Sequence, residues 1–254
     1  MSGVVMQVLL RNPLADPYIL GISGGAAVGA LSAILLGAGS VFLTNAAFAG
    51  ALFSILLVFG IANKFGQWSV TRLLLTGVVI SAGWGAVINI LLTTSSTNNV
   101  QSMLFWLMGD LSQSQVHLGH CILLAAGLAG GLIISRSLNV LSRGELFAQG
   151  LGVNLGMLRI TLYFSASVFT ATAVTIAGSV GFVGLVIPHI LRLLGARDHR
   201  ILLPCSILLG GSFLVIADSL ARTLIAPQQL PVGVITAVIG VPSFIIILRS
   251  TITK

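Results

Sequence analysis

Long apolar runs separated by short polar breaks follow one another along the whole chain. Several of these runs approach or reach the ~20 residues that a helix needs to cross a hydrocarbon core. The pattern predicts eight membrane-spanning helices, at residues 18–39, 41–62, 72–94, 116–134, 160–178, 181–195, 201–222 and 232–249. The sixth is short for a full crossing and contains Pro188, so the sequence marks its limits weakly.

The composition argues against an ordinary water-soluble domain. Of the 254 residues, 56% are hydrophobic and 7% are charged, whereas about a quarter of a soluble domain is charged. So few charges cannot cover a water-facing surface, and in lipid a helix satisfies its own backbone hydrogen bonds. The 30 glycines suit helices that pack closely in lipid. The sequence therefore predicts an all-α, polytopic transmembrane helix bundle.

The basic residues are distributed unevenly between the two ends of the predicted spans. If Arg11 is cytoplasmic, alternation places 11 of the 12 lysines and arginines on that side and only Arg222 outside. Cytoplasmic loops carry such an excess, which explains the net charge of +7 without nucleic acid. No Lys, Asp or Glu lies centrally in a span, where ion-coupled carriers commonly keep one. This weakens a secondary-transporter interpretation without excluding it.

Three motifs stand out along the chain. Residues 11–26 read RNPLADPYILGISGGA, in which Asn-Pro and Asp-Pro interrupt a helix before the next span begins. Residues 178–192 read GSVGFVGLVIPHILR, and residues 217–222 and 230–237 read ADSLAR and LPVGVITA. Together and in this order, the motifs resemble those of the FecCD-type permeases, which import iron siderophores, haem and cobalamin. The resemblance covers essentially the whole chain.

The resemblance implies a function and a set of partners. The chain is expected to be the permease subunit of an ATP-driven ABC importer for iron siderophores or related iron chelates. Cobalamin or haem import is the alternative within the family. ATP and Mg²⁺ are expected on a partner subunit, because the chain has no G-x-x-x-x-G-K-[ST] phosphate loop; no catalytic residue and no cofactor of its own is predicted.

The expected partners are two copies of the ABC ATPase, a periplasmic or lipid-anchored substrate-binding protein, and a second copy of the chain itself. Such a homodimer would place the translocation path on its two-fold axis. The expected location is the cell inner (plasma) membrane, with several passes and both ends of the family-like topology in the cytoplasm. The whole chain, residues 1–254, is predicted to form a single permease domain.

A cytoplasmic coupling segment is predicted at residues 143–159. Its polar start and glycine-containing turn suit a short amphipathic helix outside the membrane, although an ordinary connector would look similar. The resemblance implies that this segment docks into the ATPase, through Glu145, Ala148, Gly150, Gly152 and Arg159.

The resemblance assigns roles to other residues as well. It implies that Arg222 meets an acidic residue of the binding protein, whereas Asp218, four residues earlier, offers an alternative partner on the same helix. It places Ser69 and Thr71 near the cytoplasmic gate. The residues of the motifs that are expected to be structural are Asn12, Pro13, Asp16, Pro17, Gly184, Pro188, His189 and Arg192.

A metal site is conceivable where His117, His120 and Cys121 lie together near an outer helix end, with Asp110 close in sequence. No further ligands converge on them, so no metal is predicted. Cys121 and Cys205 fall on opposite sides of the proposed membrane, so no disulfide is predicted between them.

The chain departs from the family in its number of spans. Members of the family have ten, whereas this sequence supplies eight and a short apolar segment at Met1–Val8 that resembles the inner end of the second. The resemblance therefore implies that the first span and most of the second, about seventy residues, are missing.

Overall fold

The computed structural model describes the backbone of residues 1–63, 69–112, 114 and 116–252, and the side chains of these residues up to 245. No strand occurs in this part of the chain, and the predicted all-α bundle is confirmed. The helices are α1 Ser2–Leu9, α2 Ile22–Leu35, α3 Ser40–Ala62, α4 Val70–Thr94, α5 Thr97–Met108, α6 Leu118–Ile133, α7 Ser135–Leu141, α8 Glu145–Gly150, α9 Leu155–Ala177, α10 Val183–Leu193, α11 His199–Thr223 and α12 Val232–Ile252.

A helix lies at each of the eight predicted positions. Helices α3, α4, α9 and α11 are each long and apolar enough to cross a membrane, because their apolar runs are uninterrupted. Helices α6 and α7 pass the same test as a pair, bent by 59° at the residue between them. Helix α12 coincides with the predicted span 232–249.

The predicted spans 18–39 and 181–195 are too long, since α2 has 14 residues and α10 has 11. The carboxylate of Asp16 accepts a hydrogen bond from the Tyr18 N–H and caps a 3₁₀ turn that runs to Leu20. Gly21 then adopts a left-handed conformation with φ 72°, which only glycine adopts without strain. Helix α2 therefore begins only at Ile22. Helix α10 likewise begins after Phe182, whose φ is 69°.

Helix α5 lies in the outer segment 95–115, for which the apolar pattern predicts only a loop. Its first residues, Thr97-Asn98-Asn99, are polar, yet Met103 in the middle of the helix is fully buried. The helix therefore covers the outer end of the bundle with a short apolar face.

Helix α1 is the most enclosed element of the fold. Every residue from Gly3 to Leu9 is buried, mainly against α9 and α10. The Ser2 hydroxyl donates to the Ala166 carbonyl at 2.8 Å, and a Cβ on Gly3 would overlap the carbonyl of Gly184. The backbones of α1 and α10 therefore touch, and the rest of the bundle packs around them.

Small residues also bring α2 and α3 together. A Cβ on Gly25 would overlap the Gly50 carbonyl, and a Cβ on Gly29 would overlap the Ala46 carbonyl. Such close approach maximises van der Waals contact, which drives helix association in lipid. Helix α4 is different, since only 11% of its most apolar stretch is buried, against 39% for α9.

Candidate functional site

Helix α8 occupies the predicted coupling segment. It lies between two glycines with positive φ, Gly144 at 126° and Gly152 at 77°, which let the chain turn sharply at both ends. Ala148 is fully buried and anchors the helix on the bundle, whereas the Leu146 side chain is 86% exposed. Gly150 is the last helical residue and is exposed. Helix α8 therefore presents an apolar side chain to its surroundings.

Ion pairs hold this helix in place. A carboxylate oxygen of Glu145 lies 2.5 Å from a guanidinium nitrogen of Arg159, on α9, and 3.5 Å from one of Arg11, in the loop after α1. Glu145 and Arg159 are thus partners of each other. These pairs link α8 to α9 and to the loop after α1.

The loop after α1 is stabilised by its own polar side chains. The Asn12 side-chain oxygen accepts a hydrogen bond from the Leu14 N–H at 2.9 Å, and Asp16 caps the 3₁₀ turn that begins with Pro17. These bonds replace helical ones at a point where the two prolines, Pro13 and Pro17, cannot donate. The motif therefore fixes the direction in which the chain re-enters the bundle.

The second motif forms α10 and its contacts with α1. Gly184 lies against Gly3, and Pro188 is buried within the helix. A guanidinium nitrogen of Arg192 donates to the Gln7 side-chain oxygen at 2.5 Å. Arg192 is thus positioned by a glutamine rather than by an acidic residue.

The histidine of the same motif, His189, has no hydrogen-bond partner for either ring nitrogen among the described residues.

A cavity of about 400 Å³ opens between these segments. Its lining brings together four arginines that are far apart in sequence, Arg11, Arg143, Arg192 and Arg197. All four belong to the set that the alternation of spans assigns to the cytoplasm. The side chains of Lys64, Arg249 and Lys254, which the alternation assigns to the same side, lie outside the described residues. Among the described residues, the structure therefore brings four of the predicted cytoplasmic arginines together at one end of the bundle.

A polar network beside this cavity was not predicted. The Asn139 amide donates to the Asp198 carboxylate at 2.8 Å and accepts the His199 N–H at 3.0 Å, which ties α7 to the start of α11. The hydrogen bond from the Arg200 N–H, with that from Asn139, lowers the pKa of Asp198. The only sequence signal was Asp198 itself, a residue type that favours helix N-caps.

The outer end holds the third motif. The Arg222 guanidinium donates to Asp218 at 2.7 Å, so the alternative partner on the same helix is present. The Arg222 side chain is still 41% exposed. The ion pair with Asp218 therefore leaves Arg222 accessible to a binding protein, but it does not show that one docks there.

The predicted gate residues lie at the start of α4. The Ser69 hydroxyl caps the helix, accepting from the Arg72 N–H at 3.4 Å, and Thr71 is exposed in its first turn. Residues 64–68 of the connector, including Trp68, lie outside the described residues.

The histidines near the outer helix end bond to each other. The His117 N–H donates to Nδ1 of His120 at 3.1 Å, and the Asp110 carboxylate is bonded to Ser112. In the described part of the chain, no three His, Cys, Asp or Glu residues group in a way that could hold a metal ion. Cys121 and Cys205 are both free thiols.

Comparison with known proteins identifies the family. Residues 1–250 match the FecCD transport family. The chain is 45% identical over 251 residues to the cobalamin import system permease protein BtuC of Halobacterium salinarum, covering 98% of this chain and 67% of that protein. It is 40% identical over 252 residues to the vitamin B12 import system permease protein BtuC of Escherichia coli O127:H6, covering 96% of this chain and 76% of that protein.

Two further matches agree. The chain is 40% identical over 259 residues to the ABC transporter permease protein YvrB of Bacillus subtilis, covering 97% of this chain and 72% of that protein. A solved structure of a metal-chelate type ABC transporter in an inward-facing conformation superposes with a TM-score of 0.88 at 33% identity. That match covers 98% of this chain and 80% of the other. The chain is a multi-pass membrane protein that belongs to the FecCD transport family of ABC importer permeases.

Proposed function

We propose that this permease imports a cobalamin-type metal chelate, driven by ATP hydrolysis on a separate subunit. The observation that carries the proposal is the 40–45% identity, over nearly the whole chain, to permeases named for cobalamin and vitamin B12 import. These relatives favour the cobalamin alternative over the iron siderophores expected from the motifs. ATP and Mg²⁺ would bind to two ATPase subunits of the ABC type.

Helix α8 would be the element that receives the conformational change of the ATPase. A short helix with an exposed apolar side chain suits a helix-in-groove contact, and Leu146 offers such a side chain. The Glu145 ion pairs with Arg159 and Arg11 would carry the movement into α9 and the loop after α1. Glu145, Ala148 and Arg159 would thus hold the docking element in place, and the exposed Gly150 and Gly152 would belong to its docking surface.

Helix α4 would line the translocation path in a dimer of two identical chains. Its apolar surface is the least buried of the four long spans, so a single copy of the chain leaves it largely uncovered. Ser69 and Thr71, at its start, would then lie at the cytoplasmic gate. The basic end of the bundle would face the cytoplasm across the inner membrane, in line with the positive-inside rule.

Arg222 would contact a substrate-binding protein at the opposite end. A guanidinium has five N–H donors, and its pairing with Asp218 leaves several of them available for an acidic residue of the partner. Charge-assisted, bidentate bonds of this kind are among the stronger polar contacts.

The substrate is tested by uptake into proteoliposomes that contain the chain, a candidate ATPase and a candidate binding protein. We expect ATP-dependent uptake of labelled cyanocobalamin, with no competition from an excess of a ferric siderophore. Uptake of the ferric siderophore without uptake of cyanocobalamin would contradict the proposal and restore the iron-chelate prediction. Uptake of either compound in the absence of the ATPase would contradict the importer mechanism itself.

The docking element is tested by copurification with the ATPase. We expect Leu146→Glu to lower the recovered ATPase by about tenfold, because it places a charge in an apolar groove. The matched control is Leu118→Glu, at a residue that is 76% exposed at the far end of α6, and it should bind as the wild type does. Equal recovery with both variants would show that α8 is not the docking element.

A further inference from the structure

An amide side chain on the uncovered face of α4 has no partner. Asn89 is exposed, and its carboxamide makes no hydrogen bond within the described part of the chain. The Thr93 hydroxyl donates to the Asn89 backbone carbonyl at 2.9 Å and leaves the side chain free. Polar side chains within spanning segments usually face the interior of a bundle, a water-filled cavity or one another. The free amide therefore favours a polar neighbour over lipid on this face of α4.

The depth of Asn89 makes the lack of a partner costly. Helix α4 has 25 residues and is about 37 Å long at 1.5 Å per residue, against ~30 Å for a hydrocarbon core. An upright helix of this length projects from the core by about 4 Å at each end. Asn89 lies five residues before the last one, Thr94, which is about 7 Å along the axis. An unbonded amide would therefore lie in hydrocarbon if this face met lipid.

Depth alone does not mark a contact surface, because Asn45 lies equally far, five residues, from the outer end of α3. Its neighbours on the helix surface are large and apolar. Val41 and Phe42, four and three residues earlier, are 75% and 54% exposed, and Leu56, eleven residues later, is 60% exposed. Such a surface suits lipid, so α3 places its amide within a lipid-facing region.

The neighbours of Asn89 on the surface of α4 are small or polar instead. Ala82 and Ala86 lie seven and three residues before it, Thr93 lies four residues after it, and all three are exposed. Residues at these spacings share one face of a helix. Two alanines four positions apart let a second helix approach closely, which is how helices associate in lipid. The outer half of α4 thus combines a surface for close helix contact with a polar group that needs a partner.

A second copy of the chain is the occupant that this face fits best. A two-fold interface brings identical residues together. A carboxamide has both donors and an acceptor, so two asparagines across the axis can each donate to the other. The short side chains of Ala82 and Ala86 would let the two helix axes come close enough for these bonds.

We propose that the outer halves of two α4 helices meet on the two-fold axis of the homodimer, with Asn89 bonded to the partner subunit's Asn89. The inference rests on the homodimer of the proposed function and adds the residues through which its outer side closes. Because the translocation path follows the same axis, a substrate can pass only when the two amides separate. Bonds between polar side chains of membrane helices are modest in strength, so a movement driven by the ATPase suffices to break them in each cycle.

Cysteine cross-linking of the chain alone in lipid vesicles tests the contact. In a background with Cys121 and Cys205 replaced by serine, copper phenanthroline should link Asn89→Cys into a dimer, because thiols that meet on the axis satisfy the geometry of a disulfide. The matched control, Asn45→Cys, replaces an exposed amide at the same distance from the outer end. It should form at least about tenfold less dimer, since its Cβ atoms stay too far apart. Equal cross-linking of the two variants, or none at Asn89→Cys, would overturn the proposal.

The amide itself is tested by energy transfer between labelled copies in vesicles. Asn89→Leu should raise the dissociation constant of the dimer about threefold, the usual contribution of a polar contact between membrane helices. Asn89→Gln keeps the amide and should restore most of the affinity, whereas Asn45→Leu should have no effect. Equal losses in the two leucine variants would show that the amide at position 89 makes no specific contact.

Transport distinguishes a gate from a permanent contact. Cross-linked Asn89→Cys should lose ATP-dependent uptake of cyanocobalamin, and a reductant should restore it. Full uptake by the cross-linked dimer would contradict the role as a gate. Lack of uptake before cross-linking, with the Asn89→Cys disulfide still formed, would contradict the proposed function and leave the contact standing.

The inner half of α4 separates a wrong contact from a wrong dimer. Val79 is 68% exposed in that half. If a bifunctional thiol reagent joined Val79→Cys but Asn89→Cys formed no disulfide, α4 would belong to the dimer interface while its outer half stayed open. If neither variant formed a linked dimer, the homodimer of the proposed function would fail together with the contact.

Discussion

Helices α2 and α3 meet backbone to backbone, whereas α4, the next helix, leaves most of its apolar surface uncovered. Both regions are rich in glycine, but the glycines act differently. Gly25 and Gly50 let two helix axes approach, while Gly83 and Gly85 of α4 have no neighbour that an added Cβ would meet. Glycine content alone thus does not distinguish packing within one chain from a surface left for a partner.

The largest effect is expected where the backbones touch. Gly50→Ala should lower the free energy of unfolding by about 3 kcal/mol, because its Cβ would overlap the Gly25 carbonyl and force the helices apart. Unfolding in SDS-containing mixed micelles measures this difference. The matched control on the same helix is Gly60→Ala, whose Cβ would meet no atom within 4 Å. Similar losses in both variants would contradict the contrast between packed and open glycines.

A smaller effect is expected at the junction between the two regions. The Trp84 indole of α4 donates to the Ser54 hydroxyl at 2.9 Å, and that hydroxyl donates to the Gly21 carbonyl at 2.8 Å. Ser54→Ala should cost about 1 kcal/mol, since it leaves the Trp84 indole N–H unpaired and removes one of the two hydrogen bonds to the Gly21 carbonyl, which keeps that from the Gly25 N–H.

The same unfolding assay applies to Ser54→Ala, with Ser212→Ala as the control. The Ser212 hydroxyl bonds only within its own helix, to the Leu208 carbonyl. If Ser54→Ala were no worse than this control, α4 would be held by apolar contact alone.

The smallest effect on stability is expected on the open face of α4. Val79 is 68% exposed, and Val79→Cys, in a background with Cys121 and Cys205 replaced by serine, should change the free energy of unfolding by less than about 0.5 kcal/mol. A bifunctional thiol reagent should nevertheless join two copies through it. Leu208→Cys on α11, at a site 72% exposed, should remain uncoupled. Equal cross-linking through Val79→Cys and Leu208→Cys would contradict the assignment of α4 to the dimer interface.

The sequence correctly predicted the positions of the long spans, because the length of each apolar run matches the thickness of a bilayer. It failed where local chemistry overrides hydropathy. Asp16 and Pro17 delay the start of α2 through a capped turn, and the polar first turn of α5 conceals a helix held by the burial of Met103.

The motifs were enough to identify the family, but they did not predict the side-chain contacts of the candidate site. Arg192 reaches Gln7 across 185 positions of sequence, and Glu145 is paired with both Arg11 and Arg159. Such pairs depend on which helices become neighbours, and nothing in the local pattern specifies that. For the same reason, the sequence could not show that Nε2 of His199 is buried without a hydrogen-bond partner among the described residues.

The position of α1 has a consequence for synthesis on the ribosome. This helix leaves the ribosome ahead of every other described element, yet it packs against α9 and α10, and Ser2 bonds to Ala166 and Thr170. At about 5–20 residues per second, those partners emerge roughly ten seconds or more later. The contacts of α1 with α9 and α10 can form only after these later helices have been made, so the bundle closes late rather than growing helix by helix.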